Sequence, residues 1–378
     1  MTDHSLPSAW TASQLSEDNS WVLRLDAEQQ DAIHRAMLHA KAQDKPLLQM
    51  SQEDFPLPEQ VRSTLLHAIE LTQGRWGLAL IKGVPVQRWD EAETRLAYWG
   101  LGLYMGVART QNRASEIIND VRDTGSSYKI KNGRGYNTNA SLDFHQDSAD
   151  IVALLCRRTA KQGGESKIIS SIALRDKVRA LRPDLLAVMQ QAFFHSYQNT
   201  QDPSQPPYYR LPLFGNHPTH FAARTNRKNI MAVQRDFPEP PRLPPEQIEA
   251  LDLLDTLMPS DELCFNMSLE QGDIQLLNNY VILHSRTEFE DHDDADLKRH
   301  LLRLWLAVPS SQPLPENWQE YYGDTRAGSV RGGVRGIGIT EDFLRYEAKQ
   351  AQALHMLYTP WKPYILHADM QKELSEQA

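Results

Sequence analysis

The chain has 378 residues, 40 % hydrophobic and 24 % charged, which supports a sizeable core and excludes a wholly disordered chain. A net charge of −9 argues against nucleic acid as a partner, since phosphate recognition needs a basic surface, although a local arginine cluster can oppose the global sign. Two cysteines, Cys156 and Cys264, fit a reducing compartment better than a disulfide scaffold. The N-terminus has no basic and apolar leader pattern and the chain no long apolar run, so a cytoplasmic protein without a membrane span is expected.

Residues 1–20 are polar and are expected to be loosely ordered. From Asp26 to Gln43, apolar Ile33, Met37 and Ala40 recur at helical spacing, with Asp26 as cap. Val61, Leu65 and Ile69 mark a second helix over Glu59 to Thr72. Gly77 to Val84 reads as a buried strand, and Asp90 to Leu103 as a third helix. From about residue 115 the texture turns to short β-rich runs. Ile151 to Cys156 is one; Lys167 to Ser171 is another, passing into a helix over Leu174 to Leu181. Residues 202–219 and 236–245 are proline-rich and read as loops. Pro244 and Pro245 open a further helix. Asn278-Asn279 divides two apolar runs, Ile274 to Leu276 and Val281 to Leu283, as a tight turn or bulge, and His300 to Val308 is a strong strand candidate. Gly328 to Gly336 lacks the ending of a phosphate loop and reads as a mobile loop able to act as a lid. The pattern suggests a mainly β, α+β protein: an antiparallel sandwich or barrel with helices at its ends.

The stretch Leu142-Asp143-Phe144-His145-Gln146-Asp147 sets an imidazole and a carboxylate two residues apart, on one face of an extended chain. His284 follows the apolar run Val281-Ile282-Leu283. Two histidines and one carboxylate on one face of a metal leave positions open for a co-substrate and dioxygen. Alone, a His-x-Asp pair is a weak sign in a chain with 13 histidines. Arg299 adds to it. Alternation places Arg299, Leu301, Arg303 and Trp305 on one strand face, and His300, Leu302, Leu304 and Leu306 on an apolar packing face. The planar fork of arginine suits a carboxylate, although surface arginines are often only solvated. Gly163-Gly164-Glu165-Ser166 marks a tight turn ending in a hydroxyl that could donate to a carboxylate. Tyr136 and Asn139 lie close enough to the metal motif to line a pocket. The basic run Arg224 to Lys228, with Arg227 singled out, could hold an acidic substrate group, although such runs are usually solvated.

Together, Leu142 to Asp150, Leu154-Leu155-Cys156, Gly163 to Ser166, Gln271 to Ile274, Asn278 to Thr287 and Lys298 to Leu306 resemble the TauD/TfdA family of iron(II)/2-oxoglutarate oxygenases. The resemblance runs from about residue 75 to 335. It implies a double-stranded β-helix, a distorted jelly roll, over 75–340, with a helical extension over 1–74 packed on it and a helical or tail segment over 341–378. It also implies iron(II) on His145, Asp147 and His284, and 2-oxoglutarate held by Arg299 with Ser166. Dioxygen would be the second co-substrate, with succinate and carbon dioxide as products. Arg303 stands where some members place an arginine for an anionic substrate or for the co-substrate. The acidic insertion Glu288 to Asp296 leaves both Arg299 and Arg303 in contention as the clamp. Asp147 favours hydroxylation or another oxidation such as desaturation, because related halogenases lack this carboxylate.

The expected activity is therefore oxidation of a small polar or anionic metabolite. The residues alone also admit a non-catalytic jelly-roll protein that binds a metal or ligand, and a zinc hydrolase using the same three ligands. A homo-oligomer stays open. No Gly-x-Ser-x-Gly elbow supports serine hydrolysis.

Overall fold

The computed structural model describes residues 6–127, 133–202 and 205–360. Ten α-helices and sixteen strands lie among them, so the architecture is mixed and the helices are more than decoration on a mainly β core. The main sheet runs in the order Val22–Arg24, Leu78–Lys82, Ile274–Asn278, Ile151–Arg158, His300–Ala307 and Val107–Arg109, with Ile118–Val121 also beside His300–Ala307. Its pairings are antiparallel except the first, where Val22–Arg24 runs parallel to Leu78–Lys82. A smaller antiparallel sheet has Ser166–Ser170 between Phe265–Met267 and Ile282–Arg286.

Alternation along His300–Ala307 separates two environments. Leu302, Leu304 and Leu306 pack outward with Ile33, Met37, Val61, Leu65, Ala97 and Leu101 from the helices Ala27–Gln43, Glu59–Gln73 and Glu91–Met105. Burying each of the leucine, isoleucine, valine and methionine side chains among these contributes about 1.5–3 kcal/mol. Asp26 does cap its helix, accepting from Gln29 N while Gln29 accepts from Asp26 N. Helices Ser171–Leu181 and Pro245–Leu257 cover the outer side of the small sheet through Leu174, Val178, Leu251 and Leu254, against Ile169 and Leu283. The inner faces of the two sheets look toward each other.

Four expectations need correction. Residues 6–20 are not loose: Trp10 is buried, its indole donates to Trp76 O at 3.0 Å, and Thr11 caps the helix Ala12–Glu17. Polarity hid this, because one tryptophan and Leu15 anchor an otherwise polar segment. Residues 202–219 are not all loop: Tyr208–Pro212 pairs with Ala192–Ser196, and Phe214–Asn216 with Phe221–Ala223. Proline there tolerates edge pairing. The basic run after Ala223 opens an unforeseen helix, Arg227–Asp236, capped by Asn226. The glycine-rich segment 328–336 is strapped down. Gly332 and Gly333 donate to Tyr322 O and Ser148 O, and Arg331 is wholly buried on Asp150. At Gly332 (φ +72°) an added Cβ would meet Ser148 O at 2.5 Å, so the glycine serves close backbone approach rather than motion.

The C-terminal helix Glu341–Ala353 locks onto the main sheet. Glu347, fully buried, pairs with buried Arg109, and Tyr346 Oη accepts from Ala108 N at 2.9 Å. Both cysteines are free and buried. No helix among the described residues is long and apolar enough to cross a membrane.

Candidate active site

Between the sheets lies a cavity lined from the main sheet by Val152, Leu154, Leu301, Arg303 and Trp305, and from the small sheet by Ser166, His284 and Arg286. His145 reaches it by a two-way backbone bridge to His284, with N–H···O distances of 3.0 Å in both directions. This extends the small sheet by one residue pair and sets the two imidazoles side by side, ring centres 4.4 Å apart. Asp147 follows at i+2. Asn279 fixes its backbone, accepting from Asp147 N at 3.1 Å and donating to Ala149 O at 3.0 Å. Asn278 donates to Thr72 O, so the Asn-Asn turn positions both the strand carrying His284 and the backbone carrying Asp147.

His145, Asp147 and His284 offer ligand atoms all within 4.8 Å of one another. His145 Nε2 lies 3.9 Å from Asp147 Oδ1, and His284 Nε2 lies 3.8 Å from Oδ2. His145 Nδ1 is 2.8 Å from Asp143 O, a contact that assigns the proton to Nδ1 and leaves Nε2 a lone pair. Burial lowers the pKa of both histidines, His284 to about 3. Burial alone would raise Asp147, but the charge of Arg303, with the hydrogen bond from the Trp305 indole, outweighs it and holds the carboxyl near 2. At neutral pH the set is thus two neutral imidazoles and one carboxylate, the protonation a divalent metal requires. The N,N,O donor set with an open cavity on one side fits iron(II).

Arg303 and Arg299 have different surroundings. Arg303 Nη1 is 3.4 Å from Asp147 Oδ2, its Nε donates to Gln111 Oε1 at 2.7 Å, and its guanidinium lies 5.4 Å from the Tyr136 ring centre. Arg299 immediately precedes the His300–Ala307 strand, whose register shifts between His300 and Leu301, and it lines the cavity with Leu301, Arg303 and Trp305, the face that alternation assigns it. It is buried, its Nη1 has no hydrogen-bond partner, and burial lowers its pKa to about 10. Ser166 Oγ is 2.9 Å from Gln275 Nε2 and lines the cavity, as do Arg299 and Gly164.

Two of the candidate substrate residues fall elsewhere. Asn139 is exposed and does not line this cavity; its carbonyl accepts from Phe289 N. Arg227 points out from the first turn of its helix to Asp252 and Asp255, at 2.7 Å each. Its neighbours Arg224, Asn226 and Lys228 line the cavity instead. Arg134 and Arg286 are site residues that the sequence did not single out, whereas Arg224 and Lys228 belong to the basic run that it offered for an acidic group. Arg286 carried a usable signal: it lies two residues beyond His284, the spacing that joins His145 to Asp147. Arg224 is occupied, donating to Gln146 O, Ser148 Oγ and two tyrosines, Tyr209 and Tyr321, whose rings stack 4.0 Å apart. In all, six cationic side chains and one carboxylate line the cavity among the described residues.

A model of the family described as "Taurine catabolism dioxygenase TauD, TfdA family" matches residues 43–305. The chain belongs to this family and is a 2-oxoglutarate-dependent non-haem iron dioxygenase. That decides among the three readings of the triad. FR-33289 synthase of Streptomyces rubellomurinus (strain ATCC 31215) is 30 % identical over 316 residues, covering 82 % of this chain and 91 % of that protein. Taurine hydroxylase-like protein SAT17 of Stachybotrys chartarum (strain CBS 109288 / IBT 7711) is 26 % identical over 314 residues, 78 % of this chain and 77 % of that one. Among solved structures, asparagine oxygenase with Fe(II), 2S,3S-3-hydroxyasparagine and succinate superposes with a TM-score of 0.60 at 16 % identity, covering 76 % of this chain and 93 % of the other. Non-heme iron oxygenase OrfP with Fe and alpha-ketoglutaric acid gives 0.56 at 16 %, covering 75 % and 93 %. At that identity the likeness speaks to the fold.

Proposed function

We propose that this dioxygenase hydroxylates, or otherwise oxidises, a small anionic metabolite, within a double-stranded β-helix spanning about residues 75–340. The observation that carries the reading is the excess of cations lining the cavity among the described residues, Arg134, Arg224, Lys228, Arg286, Arg299 and Arg303 against one carboxylate, Asp147. Buried like charges are costly without a counter-charge, so a cavity of this kind favours anionic occupants. One dianionic co-substrate does not balance six cations.

His145, Asp147 and His284 would hold iron(II), with Asp143 O orienting the His145 ring through Nδ1. Bound iron supplies the redox chemistry by which substrate, 2-oxoglutarate and dioxygen become hydroxylated substrate, succinate and carbon dioxide. The chain's own residues bind, orient and exclude water. Arg299, with an unpartnered Nη1 and a place in the cavity wall that it shares with Ser166, is suited to the far carboxylate of 2-oxoglutarate. Arg303 is already engaged by Gln111 and Asp147, so it suits the substrate side, where it would hold Asp147 ionised and meet an anionic group. Tyr136 flanks Arg303, and Arg134 and Lys228 extend the cationic wall. Val152, Leu154, Leu301 and Val334 supply apolar surface that lowers the local dielectric and strengthens these contacts.

The test is succinate release by iron-loaded protein with 2-oxoglutarate and matched pairs of small substrates, each acid beside its amide or ester. Turnover confined to the acids supports the proposal. Equal or better turnover of the neutral partners overturns the anionic assignment, and no binding of iron or 2-oxoglutarate overturns the site.

A further inference from the structure

Two buried guanidiniums, not one, face the cavity beyond Ser166. Arg286 closes the strand Ile282–Arg286 two residues after His284, and strand periodicity turns both side chains to the same side. Its cross-strand partner is Ser166. Arg299 comes in from the other sheet past Gly164, whose added Cβ would stand 3.0 Å from Arg299 Nε. Both guanidiniums lie on the Phe289 ring, 4.8 Å from its centre for Arg286 and 4.9 Å for Arg299.

Half of the Arg286 fork is spoken for. Nη2 donates to Thr138 O at 2.7 Å and Ala140 O at 2.5 Å. The other half is not: Nε and Nη1 are buried without a hydrogen-bond partner, as is Arg299 Nη1. Each residue is only 6 % exposed, and among the described residues neither forms an ion pair. A role confined to bracing the 138–140 backbone would account for Nη2 and leave the two other donors buried and idle. A carboxylate has two oxygens and about four acceptor positions, enough to take donors from two guanidiniums and one hydroxyl.

We propose that Arg286 is a second binding residue for the far carboxylate of the 2-oxo diacid, so that Arg286 and Arg299 grip it from two strands with Ser166 between them. This rests on the reading of the cavity as the co-substrate site. The two-sided grip sets the length of the keto acid that can bind. It discriminates against 2-oxo monoacids, which would leave both guanidiniums buried and uncompensated.

Anaerobic titration of the iron-loaded protein with 2-oxoglutarate, and with 2-oxobutanoate, which lacks the second carboxylate, tests this. In R286M, affinity for 2-oxoglutarate is expected to fall about 10–100-fold while that for 2-oxobutanoate stays within about twofold, collapsing the preference between them. R286K keeps a charge and a donor for the Thr138 and Ala140 carbonyls, and is expected to restore part of the loss. R299M serves as the comparison. Two results overturn the proposal: R286M retaining wild-type preference while R299M loses it, or R286M weakening both keto acids equally, as bracing alone would do. If the unaltered protein binds neither keto acid, the co-substrate reading fails and this inference with it. If R286M does not fold, R286K decides: unchanged preference there overturns the two-residue grip.

Discussion

The Trp305 indole Nε1 donates to Asp147 Oδ2 at 2.8 Å, the same oxygen that Arg303 approaches to 3.4 Å. One carboxylate oxygen is therefore steadied from the main sheet. A hydrogen bond of this kind fixes a ligand's orientation before metal arrives, and losing it typically lowers metal affinity about 10–100-fold. W305F keeps the ring and removes the donor. It is expected to weaken iron(II) binding in anaerobic titration by that order, with little change in thermal stability. Affinity equal to wild type would show that Asp147 needs no such support.

Asp147→Ala removes the only carboxylate in the cavity lining among the described residues. Succinate formation should fall to background. Wild-type turnover in this variant would contradict the metal assignment.

The two main-sheet arginines should separate kinetically. R303A is expected to raise the KM for substrate more than tenfold and leave that for 2-oxoglutarate within about threefold, since a lost contact appears in the ligand it touches. R299A should do the reverse. A swapped pattern would exchange the two roles.

Gly164 has φ +78°, and its Cβ position stands against Arg299. Gly164→Ala is expected to cost about 1 kcal/mol of stability from the backbone alone. It should also displace Arg299 and raise the KM for 2-oxoglutarate. Chemical denaturation and steady-state kinetics check the two effects separately; an unchanged KM would mean that Arg299 yields without loss.

Burial lowers the Lys228 ammonium to about 8, with Arg134 adding repulsion. The lysine is charged below that pH and neutral above it. Attraction for an anionic substrate is thus present on the acid side and lost as pH rises through about 8, so kcat/KM should decline there. K228R, whose cation does not titrate in this range, should remove the decline. A decline that persists in K228R belongs to another group.

Trp10→Ala is expected to destabilise the protein by about 3–5 kcal/mol, despite lying near the end of a polar segment, because it empties a buried aromatic site. Urea unfolding measures this, and a loss under about 1 kcal/mol would mean that the segment is only lightly docked.

The sequence was most legible where local periodicity and tertiary burial agree. The His145-x-Asp147 spacing, the alternation across Leu301 to Leu306 and the Asp26 cap each express a rule of one element, and the structure brings these residues to the positions that the rule implies. Legibility fell where a contact joins distant segments. Trp10 meets Trp76, and Tyr208–Pro212 finds its partner in Ala192–Ser196, through pairings that no local pattern encodes. Arg227 against Lys228 shows the limit sharply. Adjacent cations look alike in the sequence, and only the helix that starts there turns one toward Asp252 and Asp255 and the other toward the cavity. Arg299 and Arg303 could not be told apart by spacing, because the distinction lies in Gln111 and Asp147 reaching one of them.

The buried pair of Arg109 and Glu347 also bears on where this molecule could be divided. The stretch that the family model matches stops at residue 305, yet Glu347 lies beyond it, as do Tyr321 and Val334 of the cavity wall. A fragment trimmed to the matching stretch would take the carboxylate from a guanidinium in the interior, a loss of about 3–5 kcal/mol for a pair of this kind. It would also open one side of the cavity to water. The inherited pattern that identifies the enzyme is smaller than the piece of chain that must fold for it to work.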